Sequence, residues 1–220
     1  PVATDAELVA LTTEAPSEGF AIDFDSMVKA AELVPFSGMP YSSREVQSES
    51  GRDYVRFSGE TWSQFLKTNP GDGLYRWLVR ANGPEPTEEQ DYGSEILIRA
   101  SEDGVGIDQE YAAGRQQIRE LSGGTSTVLL DAAAPAIPLG QWYWHEAKAN
   151  GSFLQLRSYL EQSSPGNFAV AVGSDIQTGQ GASGLAAFGY PGFTLDVARF
   201  EFMASEESVF DDVYEEDVFE

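Results

Sequence analysis

The sequence predicts an all-β chain, a two-sheet antiparallel sandwich of jelly-roll type with a short arm at each end. Three observations carry this. Gly at 22, Pro at 11 and aromatics at 12% suit many short strands joined by tight turns. About ten apolar or alternating runs follow one another from Phe20 onward, each bounded by Gly, Pro, Asn or Ser. Several of these runs alternate as half-buried strands do: in YRWLVRA, Tyr75, Trp77 and Val79 interleave with Arg76, Leu78 and Arg80. In LDVARFEF, Leu195, Val197, Phe200 and Phe202 stand among Asp196, Arg199 and Glu201.

Residues 1–19 form the first arm, where Thr4 to Glu7 ahead of Leu8, Val9 and Leu11 has the form of a capping box opening a short helix. The sandwich occupies 20–204, through AIDFD, DYVRFSG, GLYRWLVRA, SEILIRAS, STVLLDA, QWYWHEAKA, SFLQLRSYLE, NFAVAVGS, GLAAFGY and FTLDVARFEFMA. Asn150-Gly151 separates two strong strands, so a tight hairpin is expected there. The stretches 82–92, 161–167 and 173–183 read as loops. Residues 205–220 combine eight acidic residues with three apolar-aromatic pairs, an acidic amphipathic arm in which Phe210, Tyr214 and Phe219 are the expected partner anchors.

At 220 residues the chain fits one domain, with a core large enough to fold unaided. With no Cys, disulfides and thiolate metal sites are excluded. No apolar run approaches the ~20 residues that cross a bilayer. The opening PVATDAELVALTTEAPSEG lacks the basic and apolar regions of a secretory signal, and Pro1 fits loss of an initiator Met. The net charge of −23 opposes binding to nucleic acid and to anionic membranes. Three lysines against 36 acidic residues also fit adaptation to high salt.

GQWYWHEAKANGSFLQLRSYLEQ, followed by GASGLAAFGYPGFTLDVARFEF, resembles the closing half of concanavalin A-like, laminin-G-like sandwich modules. In these a Trp-rich strand turns over a Gly into an apolar and Arg-bearing strand. A final G-x-x-G-L-A run then leads to a strand carrying an Asp. The likeness covers roughly residues 60–203 and concerns fold, not chemistry. Such modules occur in lectins, glycan hydrolases and adhesion proteins, and on the capsids and tails of viruses. Where the family often has a further Trp-containing stretch, this chain has Pro165, Gly166 and Phe168, so no sugar-stacking role carries over to that loop.

The enzymatic members need two carboxylates flanking one glycosidic bond. On YGSEILIRAS only Glu95 is offered, with no second carboxylate on its face, so no catalytic set is expected. His145 is the single histidine and lies in no catalytic motif. Trp142 and Trp144 share one face of their strand and are assigned to the core; Tyr143 and His145 share the other. The residues expected to stack on a sugar, if one binds, are then Tyr143, His145, Tyr159 and Tyr190. Because this fold often holds calcium, Asp23, Asp25 and Asp196 are the metal candidates, set against plain solvated carboxylates. Asn150-Gly151-Ser152 also spells a glycosylation acceptor, although the turn accounts for it.

The leading expectation is a non-catalytic virion structural or attachment protein, in capsid, tail or fibre, that meets other virion proteins or copies of itself and, where it binds sugar, a host glycan. The competing reading is a secreted or cell-surface carbohydrate-binding module of a halophile, and a glycoside hydrolase comes third.

Overall fold

A computed structural model describes residues 19–35, 42–68, 70–87, 91–100, 106–112, 114–122, 125–134, 138–172 and 182–204. Both expected arms, with Phe210, Tyr214 and Phe219, lie outside the described residues. The described chain is fifteen strands and one short helix. In order these are β1 (Phe20–Asp23), α1 (Met27–Ala30), β2 (Leu33–Pro35), β3 (Ser43–Glu49), β4 (Arg52–Ser58), β5 (Thr61–Leu66), β6 (Gly73–Asn82) and β7 (Gly93–Ala100). There follow β8 (Gly106–Ala112), β9 (Arg115–Ser122), β10 (Thr125–Ala133), β11 (Trp142–Asn150), β12 (Phe153–Leu160), β13 (Ala169–Val172), β14 (Ala182–Phe188) and β15 (Thr194–Ala204).

All pairings are antiparallel. The larger sheet runs β13-β12-β11-β6-β15-β4-β3, with β1 beside β15, and the smaller runs β10-β9-β8-β7-β14-β5-β2. This is the expected two-sheet sandwich. Tyr75, Trp77 and Val79 of β6 and Leu195, Val197, Phe200 and Phe202 of β15 point into the core, as their alternation predicts. A bulge between Val197 and Arg199 shifts the parity on β15, and so Val197 and Phe200 share a face. From the smaller sheet Trp62, Leu66, Ile96 and Ile98 complete the core. Each fully buried large side chain contributes about 1.5–3 kcal/mol of burial.

The β11–β12 hairpin forms where expected, one residue later than Asn150-Gly151 suggests. Asn150 is the last strand residue and pairs with Phe153, leaving Gly151-Ser152 as the loop. Gly151 takes φ +56° at the first central position, where a two-residue turn of the II′ kind requires glycine. Its N–H donates to Asp72 Oδ2 at 2.8 Å and its carbonyl accepts from Arg99 at 2.9 Å, so the turn is pinned to both sheets. The β3–β4 hairpin turns on Ser50 and Gly51, both with positive φ. That turn matters below.

Candidate functional site

The outward face of the larger sheet carries two cross-strand ladders of alternating charge. In one, Arg157 of β12, Glu146 of β11, Arg76 of β6 and Glu201 of β15 stand side by side in register. Glu146 accepts from Arg157 Nε at 2.5 Å, Arg76 Nε at 2.6 Å and the Tyr159 hydroxyl at 2.6 Å, and Arg76 also donates to Glu201 at 2.6 Å. Burial, and then the bond to Glu146, raises the Tyr159 phenol above its ordinary pKa.

In the other ladder Trp142, Arg80, Asp196, Arg56 and Glu45 align across five strands. Asp196 is fully buried, held by Arg56 Nε at 2.7 Å, Arg80 Nη2 at 2.8 Å and the Asn82 amide at 2.9 Å. The bond to Asp196 raises the Arg56 guanidinium above its usual pKa. Between the ladders Tyr54, Leu78 and Ala198 pack with Trp142 and Trp144.

Both tryptophans are half-buried on this outer face. Guanidinium carbons lie over their rings: Arg76 at 4.3 Å from the Trp144 centroid, and Arg80 at 4.6 Å and Arg52 at 4.9 Å from that of Trp142. The edge-on ring of Tyr54, 5.5 Å away, also braces Trp142. Beside Trp142 the Ser50-Gly51 turn and the end of β12 enclose a depression of about 440 Å³. Its functional lining is Trp142, Arg52, Arg80, Glu49, Glu161 and Gln162. Arg52 and Glu161 clasp each other through two bonds of 2.9 and 2.6 Å at its rim, and Arg80 holds Glu49 at 2.6 Å. An indole edge beside fixed planar donors and acceptors gives a sugar ring an apolar contact and partners for neighbouring hydroxyls.

The residues expected from the sequence fall in different places. Tyr143 and His145 are buried between the sheets, where Ser94 Oγ bonds the Tyr143 hydroxyl and His145 Nδ1, each at 3.0 Å. The assignment of faces on β11 is therefore reversed. Backbone pairing sets Tyr143 against Val79 and His145 against Trp77, both inward, and sets Trp142 and Trp144 against outward Arg80 and Leu78. Tyr159 does stand on the outer face, bonded to Glu146 and Arg76. Tyr190 is buried, bonded to the Pro84 carbonyl and packed against Tyr92 and Phe193; it anchors a loop.

The structure does not gather the three aspartates around one point. β1 does neighbour β15 as expected, but Asp23 is ion-paired with Arg199 at 2.7 Å, Asp25 is exposed, and the Asp196 oxygens are taken by two guanidiniums and an amide. Among the described residues no group of acidic or histidine side chains could hold a metal ion. Glu95 points away from the core and pairs with Arg119 at 2.9 Å.

Burial lowers the His145 imidazole pKa to about 3 from the ordinary 6.5. Below pH 6.5 the unfolded chain binds a proton that the native chain refuses, and stability falls as pH drops toward 3. With a single histidine in the chain, this should appear as about 2 kcal/mol lost between pH 8 and pH 5 beyond any loss in His145→Gln. Urea unfolding of the two proteins across that range checks it; equal slopes would contradict the buried neutral imidazole.

No family model and no curated protein matches the chain. Solved structures do. The exoplasmic/lumenal domain of VIP36 in its Ca2+-bound form aligns with TM-score 0.57 at 12% identity, over 83% of this chain and 89% of that one. The carbohydrate binding module CBM66 from Bacillus subtilis aligns with TM-score 0.52 at 13% identity, over 74% of this chain and 94% of the module. The fold is the lectin-type β-sandwich. The same fold is shared with the Crh5 transglycosylase, solved in complex with NAG, at TM-score 0.54 and 11% identity over 90% of each chain. At these identities the likeness speaks to architecture, and function has to be argued from this chain's own residues.

Proposed function

We propose that this lectin-type sandwich is a non-catalytic glycan-binding module that reads an uncharged sugar on the outer face of its larger sheet, at Trp142. The carrying observation is the depression in which that indole meets Arg52, Arg80, Glu49, Glu161 and Gln162. Sugar rings offer an apolar C–H face and a rim of hydroxyls, and this lining complements both. VIP36 bound to mannose, together with the CBM66 module, supports the reading by showing that the same architecture serves carbohydrate recognition. Trp144 extends the aromatic surface along β11.

The carboxylates of the depression are each held by an arginine, Glu49 by Arg80 and Glu161 by Arg52, and Glu146, Glu201 and Asp196 of the ladders likewise, which favours binding over bond cleavage. Glu146 is 1% exposed, with both oxygens engaged by arginines and Tyr159, and neither is presented to a glycosidic oxygen. The virion and cell-surface settings suggested by the sequence both suit such a module, and the reading of the outer face is the same in either.

A glycan array probed with the whole chain is the test, together with a reducing-sugar assay on every oligosaccharide retained. Binding of neutral oligosaccharides without release of reducing ends is expected. Trp142→Ala should weaken binding about tenfold, as loss of one apolar ring contact and of the brace for Arg52 and Arg80 implies. An array without signal, or turnover abolished by Glu146→Gln, would overturn the proposal.

A further inference from the structure

We propose that two copies of this chain pair edge to edge through β10, antiparallel and centred near Val128. Among the described strands, β13 and β3 end the larger sheet, and β10 and β2 end the smaller. On one side of the sandwich, where Arg44 of β3 donates to the Leu33 carbonyl of β2, both edges are guarded. There β2 carries Pro35, and β3 carries Arg44, Glu45 and Glu49. Proline and charge are what keep an open edge from pairing with a stray strand. On the other side β10 lies beside β13, and the two read TSTVLLDAA and AVAV. Neither has a proline or a glycine, and their one charge, Asp131, already accepts from the Gln117 amide at 2.9 Å. Such a composition favours pairing.

The free stretch is Thr125–Val128. All four residues are exposed although successive side chains point to opposite faces, so this end of β10 overhangs the sandwich with solvent on both sides. A further strand fits there without displacing the larger sheet. Past the bulge between Val128 and Leu130, both Leu129 and Leu130 pack against the core. Val128 itself is 50% exposed, on the outer face in register with Arg119.

The partner is a second copy because the edge complements itself. Antiparallel pairing about Val128 sets that side chain opposite its twin and Asp131 opposite Thr125, so an apolar pair forms at the centre and no carboxylate faces another. A chain of net charge −23 otherwise repels its own copy. Over β9 and β10 the charges cancel, Arg115 and Arg119 against Glu120 and Asp131. The two-fold axis of an antiparallel pair stands perpendicular to its sheet, so the outer faces of both larger sheets, with their Trp142 depressions, point to the same side. That consequence rests on the glycan-binding reading above; the pairing does not.

The test is sedimentation velocity of the whole chain, without sugar, from about 10 μM to about 1 mM, the range suited to a small interface. A reversible monomer–dimer equilibrium is expected, tightening as salt rises from about 0.05 M to about 0.5 M and screens the repulsion between copies. Val128→Lys should weaken association about tenfold or more, because each new ammonium meets its twin across the edge. Val28→Lys, at a 79% exposed position on α1, adds the same charge elsewhere and should leave association unchanged. In ¹⁵N spectra the amides of Thr125–Val128 should shift with concentration. A dimer that Val128→Lys leaves intact, that Val28→Lys weakens equally, that loosens as salt rises or that leaves those amides unmoved would overturn the proposal. A chain that stays monomeric at both salt levels would overturn it too, and would leave the outer-face reading standing.

Discussion

Asp196→Ala should cost about 3–5 kcal/mol of folding stability, the range for removing one partner of a buried ion pair. The carboxylate is fully buried and accepts five hydrogen bonds, two from Arg56, two from Arg80 and one from Asn82. Its removal leaves two guanidiniums facing each other across β15 with no counter-charge between them. The Arg80 side chain is 10% exposed and cannot swing into water, although Glu49 still holds one of its nitrogens. By contrast the Arg56 side chain is 33% exposed, and Arg56→Ala should cost much less, on the order of 1 kcal/mol. Urea midpoints of the two variants check the ordering. If Asp196→Ala lost less than Arg56→Ala, the ladder would not be the structural spine described here.

Trp77→Ala should be comparably severe, about 3–5 kcal/mol, as large-to-small changes of buried aromatics are. Trp77 is fully buried at the centre of the larger sheet, stacked 6.2 Å from Phe24 and with the tilted Phe200 ring 4.4 Å away. β6 is flanked there by β11 and β15, and neither strand can move inward without breaking its pairing. Thermal unfolding should show a far larger drop for Trp77→Ala than for Trp144→Ala, because Trp144 is half-buried on the outer face. Equal drops would contradict the assignment of faces.

That assignment marks where the sequence was legible and where it was not. The alternation of β6 and β15 was plain because large apolar residues held one parity and Arg, Asp and Glu the other. On β11 every position from Trp142 to His145 is aromatic, so the local pattern has no polar parity to read, and hydrophobicity favoured the wrong pair. Only the register with β6, which sets His145 beside Trp77, decides it. Five strands were missed altogether: SREVQSE in β3, GIDQEYA in β8 and RQQIRELS in β9 carry little apolar patterning, TWSQFL in β5 is buried on both faces, and β2 is three residues long.

The charge ladders were invisible for a different reason. Arg56 lies 140 residues before Asp196 and Arg80 lies 116 before it, and nothing local pairs them. Asp196 therefore read as a metal candidate until topology brought two guanidiniums to it. Arg52, Glu49 and Glu161 of the Trp142 depression were missed likewise, since a hairpin turn and a strand end distant in sequence assemble it.

The four tryptophans make the central claim directly measurable, because each gives one indole N–H signal and they divide two and two between core and outer face. A ¹⁵N spectrum recorded during titration with an oligosaccharide that the protein retains should show the Trp142 signal, and with it Trp144, moving in proportion to occupancy, while Trp62 and Trp77 stay in place. Saturable binding that leaves the Trp142 signal unmoved would contradict the claim that this face of the larger sheet is where the glycan is read.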